Sequence, residues 1–78
     1  MLEEAGTLIT FELWCTRSRN ILGFFESEAA ALAAVREALR VHGADYAETL
    51  ALVREDSHGR SVGIAQGGEL AERALAAA

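Results

Sequence analysis

The sequence predicts an α+β fold in which an antiparallel β-sheet packs against one main helix. Three observations carry that expectation. Apolar residues alternate with a period of two in Thr7–Thr16, an Ala/Leu-rich segment after the first hairpin repeats with a helical period, and turn or cap residues punctuate each junction. The expected order is ββαββ plus a short C-terminal helix, a single domain over residues 1–78, with a hairpin at 7–25, a helix at 28–42, a second hairpin at 49–65 and a helix at 69–77.

Each element has a local reason. In Thr7–Thr16, Ile9, Phe11, Leu13 and Cys15 fall on one face and Leu8, Thr10, Glu12 and Trp14 on the other. The polar stretch Thr16-Arg17-Ser18-Arg19-Asn20 reads as a turn with Asn20 suited to a left-handed position, and Ile21–Phe25 returns as the second strand. Ser27 is a good N-cap, and Glu28 lies favourably against the helix dipole. Ala30 stands where a capping box would place Glu or Gln. Leu32, Val35 and Leu39 form an apolar stripe widened by Ala31 and Ala38, and Gly43 ends the helix.

Ala44–Ala47 reads as a connection and Thr49–Arg54 as the third strand. Asp56-Ser57-His58-Gly59 is a turn with Gly59 at a positive-φ position. Arg60–Ala65 is the fourth strand, with Val62 and Ile64 on one face, and Gly67-Gly68 ends it. Glu69–Ala77 is helix-prone but too short to persist in water unless Leu70 and Leu75 dock on something. Strand orders 2-1-3-4 and 1-2-4-3 both satisfy this pattern.

Composition limits the functional classes. A chain of 78 residues is near the lower size for an unassisted core, and sixteen of its apolar residues are alanine. Chains of this size gain stability from disulfides, a metal, oligomerisation or tidy helix packing. Cys15 is the only cysteine, so no internal disulfide forms, and Cys15, His42 and His58 lie on separate predicted elements without metal-ligand spacing. No cofactor is expected. Oligomerisation or tidy packing remains.

All seven basic residues are arginine, which together with the alanine excess looks like a coding bias; the net charge of −5 argues against nucleic-acid binding. No apolar run approaches the length of a membrane span, and the Met1-Leu2-Glu3-Glu4 start is acidic where a secretory signal would be basic. A cytoplasmic protein is expected, in keeping with its single thiol.

One amphipathic helix covers one face of a small sheet. The aliphatic face Ile9, Phe11, Leu13 and Cys15, with Ile21 and Phe25, is the better match to an Ala/Leu helix, which leaves Trp14, Leu22 and Phe24 on the opposite face. Two dispositions of the C-terminal helix are open. It can fold over that face, Leu70 and Leu75 covering Trp14, or leave Trp14, Leu22 and Phe24 as an interface for a second copy or an unidentified protein partner.

The groups with potential chemistry have plainer readings. Cys15 lies within a strand without a neighbouring base and reads as a buried structural thiol. His58 beside Asp56 and Ser57 suggests an acid/base or metal site, yet Asp and His are common in hairpin turns for local hydrogen bonding. His42 is placed to meet the last helix carbonyls. Gly63, Gly67 and Gly68 lack the Lys and Ser/Thr of a phosphate-binding loop. Glu26 and Glu28 read as capping. An enzyme is not expected. Arg17 and Arg19, extended by Arg36 and Arg40, define the alternative of a nucleic-acid-binding domain using the outer aromatic face, against which stand Glu12, Glu26, Glu28 and Glu37 in the same elements.

The run "FELW", a polar turn, "ILGFFESEAAALAAV" and "LALVREDSHGRSVGIAQGGEL" resembles small uncharacterised bacterial ββαββ proteins, in which an aromatic closes the second strand (here Phe25) and Ser or Thr caps an Ala-rich helix (here Ser27). The resemblance spans most of the chain, rests on structural motifs, and implies the fold without an activity. The front half is also similar to the arm-type DNA-binding domains of tyrosine recombinases, which bind DNA through a basic sheet face; this chain departs from them in its acidic balance and lack of lysine. A third similarity is to partial RNase-H-like antitoxins, acidic oligomers that mask a toxin, from which the chain departs in having no DNA-binding extension before Ala78. The function expected from the sequence is a non-enzymatic, self-associating protein-interaction module.

Overall fold

The computed structural model describes residues 8–77. Its elements run β1 (Ile9–Cys15), β2 (Asn20–Phe25), α1 (Glu28–His42), a 3-10 helix (Ala44–Thr49), β3 (Leu50–Asp56), β4 (Ser61–Gln66) and α2 (Gly67–Ala76). The fold is α+β, as the sequence predicts. The four strands form one antiparallel sheet in the order β2-β1-β3-β4, which decides between the two orders left open by the pattern. Of the first predicted strand, Thr7 lies outside the described residues.

Local chemistry sets the ends of α1. The Ser27 hydroxyl accepts the Ala30 N–H at 3.1 Å, and Glu28 occupies the first turn with Arg40 and His42 in the last, each favourable against the helix dipole. Gly43 leaves the helix at φ 95°, its N–H donating to the Leu39 carbonyl at 2.8 Å. His42 stacks on Tyr46, ring centroids 4.4 Å apart, where the sequence suggested contact with the last carbonyls. The expected connection at Ala44–Ala47 is the start of the 3-10 helix, which the Thr49 hydroxyl closes by donating to the Tyr46 carbonyl at 2.8 Å, so β3 begins one residue later than expected.

The turn between β1 and β2 differs in one position. Arg19, not Asn20, takes the left-handed conformation, at φ 61°. Asn20 instead pairs with Cys15 as the first residue of β2. In the second hairpin Gly59 takes the positive φ expected, at 85°, while β3 extends to Asp56, β4 runs Ser61–Gln66, and Gly67 and Gly68, expected to end the strand, open α2.

Both helices lie on the same side of the sheet. Leu13 of β1 and Leu50 and Leu52 of β3 form one cluster with Ala31, Leu32, Val35 and Leu39 of α1, Ala47 of the 3-10 helix, and Leu70 and Ala74 of α2; Phe11, Phe25 and Ile64 pack around it. Across the helices, Arg36 Nη1 donates to the Ala74 carbonyl at 3.2 Å and Arg73 pairs with Glu28 at 3.1 Å. The Cα envelope is only 17 Å in its thinnest direction, two layers deep. Gly67, at φ 58°, turns the chain from β4 onto the helical side. The C-terminal helix therefore does not cover Trp14: Leu70 is fully buried beside α1 and Leu75 is 62% exposed.

A β-bulge revises the predicted faces of β2. Phe25 pairs with Phe11, Phe24 with Glu12 and Gly23 with Leu13, but Ile21 pairs with Trp14, so Leu22 is the extra residue without a cross-strand partner. Ile21, expected beneath the helix, is thereby carried to the Trp14 face. Leu22, expected opposite Trp14, stands at the bulge, half exposed on an edge strand. A second bulge leaves Ile64 unpaired in β4.

The two leucines of α2 provide a test of its docking. Leu70→Ala should cost about 2–4 kcal/mol and lower the melting temperature by roughly 10 °C or more, whereas Leu75→Ala should stay within about 0.5 kcal/mol. Thermal unfolding followed by circular dichroism measures both, and equal effects would contradict this placement of the helix.

Candidate functional site

The outer face of the sheet is set by strand register. Thr10, Glu12 and Trp14 of β1 lie opposite Glu55, Val53 and Ala51 of β3, with Phe24 and Ile21 of β2 on the other flank. Phe24 is 63% exposed, Leu22 49% and Ile21 39%. Trp14 is half-buried because its indole bends along its own strand, donating from Nε1 to Glu12 Oε1 at 3.0 Å. The three residues expected at an interface thus divide: Phe24 and Trp14 share the face, and Leu22 borders it at the bulge.

Glu12 sits between Phe24 and Val53 in the strand register, with Trp14 bonded to it, and is only 8% exposed. It is the one charged residue in the buried class among the described residues. Glu55 stands diagonally across β3, opposite Thr10. A hydrogen bond to Glu12, reinforced by Glu12's charge, by partial desolvation and by Asp56, raises the Glu55 carboxyl above the ordinary carboxylate range. Among the described residues no cation forms an ion pair with either glutamate. Composition gives no hint of this pair. The available signal was Glu12 two residues before Trp14 on an alternating strand, which places the carboxylate and the indole on one face.

The arginines do not form a continuous strip. Arg17 and Arg19 are exposed in the β1–β2 turn. Arg36 and Arg40 lie on α1, on the other side of the sheet, where Arg36 is bonded to the Ala74 carbonyl and Arg40 is paired with Glu37. A shallow groove of about 540 Å³ beside α1 is lined by Ala33, Leu39, Leu75 and these same arginines with Glu37, and brings together no nucleophile and base.

The Asp56–His58 turn is tied by its aspartate. Asp56 Oδ1 accepts the His58 and Arg60 N–H groups at 2.9 and 3.0 Å, and Oδ2 accepts Arg60 Nε at 2.9 Å. The Arg60 N–H is the main cause holding the Asp56 carboxyl below its ordinary range. This carboxylate is committed to the backbone of its own turn. Cys15, expected to be buried, is half-exposed at the end of β1. The Ser18 hydroxyl and N–H, followed by the Arg17 N–H and charge, pull its thiol below the ordinary range against some desolvation. Among the described residues no three His, Cys, Asp or Glu side chains are grouped to hold a metal, and no helix is long and apolar enough to cross a membrane.

Two titrations test these assignments. Glu55 should titrate above the usual glutamate range by carboxyl NMR, and Glu12→Gln should return it toward that range. The raised value means that Glu55 contributes stability fully present below about pH 4.3 and lost as pH rises through its folded-state value. Glu12→Gln should therefore stabilise the fold at neutral pH and have little effect in acid. Asp56 acts in the opposite sense, its contribution being present above about pH 3.9 and lost as pH falls through its lowered value. For Cys15, alkylation at neutral pH should outpace that of the unfolded chain and slow in Ser18→Ala; equal rates would remove the role of Ser18. No family model, curated protein or solved structure matches the chain, so its functional reading rests on this face.

Proposed function

We propose that this chain is a non-enzymatic, self-associating protein-interaction module whose binding surface is the outer sheet face, with Phe24 and Trp14 as anchors, Ile21 beside them and Leu22 at the border. The observation that supports this reading is one-sided coverage. Both helices pack on the opposite side, and an aromatic and aliphatic patch is exposed on a sheet whose buried core, among the described residues, is ten apolar residues, three of them alanine. Covering the patch would add the second apolar layer that so small a domain lacks. A reducing, cytoplasmic setting fits the unpaired thiol of Cys15. Nucleic-acid binding through Arg17, Arg19 and the same aromatics is less well supported, because Glu12 and Glu55 stand beside the aromatics on this face and repel phosphate.

Phe24→Glu tests the reading. Its side chain is exposed, but the change sets a further carboxylate opposite Glu12, so circular dichroism checks the fold and the uncharged Phe24→Gln is measured beside it. Sedimentation equilibrium with Trp fluorescence across dilution should show association and a blue-shifted Trp14 emission in the wild type, with both lost in the variant. A wild type that stays monomeric, or a Phe24→Glu chain that associates unchanged, would overturn the proposal.

A further inference from the structure

The charges around the open face are arranged unevenly along β1. Toward the start of the strand lies the acidic pair, Glu12 two residues before Trp14 and Glu55 level with Thr10, four residues before it. Beyond the other end lie Arg17 and Arg19, exposed and in no ion pair among the described residues. Other arginines are committed elsewhere: Arg36 to a backbone carbonyl, Arg40, Arg60 and Arg73 to carboxylates, while Arg54 pairs with Phe11 and Val62 in the register of the helical side. At about 3.4 Å per residue, the carboxylates stand roughly 7–14 Å to one side of Trp14 and the turn begins a similar distance to the other.

Resting on the reading of this face as a self-association surface, we propose that two copies pack sheet on sheet in antiparallel sense about a two-fold axis close to Trp14 and Ile21, so that Arg17 and Arg19 of each copy come over Glu12 and Glu55 of the other. The argument is charge complementarity. An isologous contact must present the same patch twice. Stacked with strands running the same way, the patch would set each acidic pair on its counterpart, two carboxylate pairs in a desolvated interface. Stacked with strands reversed, the two ends exchange, and each glutamate pair gains the cations it lacks among the described residues of its own chain. Phe24, Ile21 and Trp14 then fill the space between sheets about 10 Å apart. Two sites are formed, each with its carboxylates from one copy and its guanidinium groups from the other.

Charge exchange tests the arrangement. One variant combines Arg17→Glu and Arg19→Glu; the other is Glu55→Arg. Each alone should dimerise roughly tenfold or more weakly than wild type, since each sets like charges together at both sites. An equimolar mixture should favour a heterodimer over either variant homodimer, because one site then carries the wild-type charges and the other sets the introduced guanidinium against the introduced carboxylates. Sedimentation equilibrium with one partner fluorescently labelled reads the result, and circular dichroism checks that each variant is folded. Wild-type association should also weaken as salt rises. If Phe24→Glu abolishes association but the charge variants associate as wild type, or mixing restores nothing, this arrangement is overturned while the face remains the interface. If Phe24→Glu has no effect, the face and the arrangement fall together.

Discussion

The docking of α2 beside α1, on one side of the sheet, is the constraint on which the rest of the structure depends. It is held by Leu70 and Ala74, both completely buried against the cluster of Val35, Leu50 and Leu52. Gly67 at φ 58° makes it geometrically accessible, because it turns the chain off the edge strand toward the helical layer within one residue. Had the helix crossed the other edge, Leu70 would have covered the outer face and the α1 side would have lost part of its apolar layer. A chain of this length has material for one helical layer, and it spends that layer on a single face.

The uncovered face is chemically unusual for an exposed sheet surface. A solvated face normally carries polar residues that meet water freely. Here a buried carboxylate accepts an indole N–H and stands next to a second carboxylate, with apolar residues on either flank. Such an arrangement is unfavourable in an isolated chain, because burial and like charge both oppose ionisation. The raised Glu55 carboxyl is a direct consequence. In the proposed dimer the arginines of the second copy would offset that penalty.

The bulge at Leu22 adjusts the composition of that face. Without it, Leu22 would have paired with Trp14 across the strands and Ile21 would have lain on the α1 side. One unpaired residue reverses the alternation for the first part of the strand and brings Ile21 across to Trp14. It also interrupts an otherwise uncharged edge strand, a recognised means of limiting edge-to-edge pairing.

Much of this was legible in the sequence, for reasons that are local. The strand alternation in Ile9–Cys15, the Ser27 cap, the apolar stripe Leu32-Val35-Leu39 and the Gly43 and Gly59 positions each depend on neighbours a few residues away, and each is found where it was read. The antiparallel α+β class followed from them, as did the placement of Trp14 and Phe24 away from the helix. Only the tertiary structure decided the strand order, the side taken by α2, the face of Ile21 and the meeting of Glu12 with Glu55. The physical reason is common to all four: register, bulges and helix docking are set by contacts between residues far apart in the chain, and a one-residue slip costs the sequence pattern almost nothing while exchanging every side chain between faces.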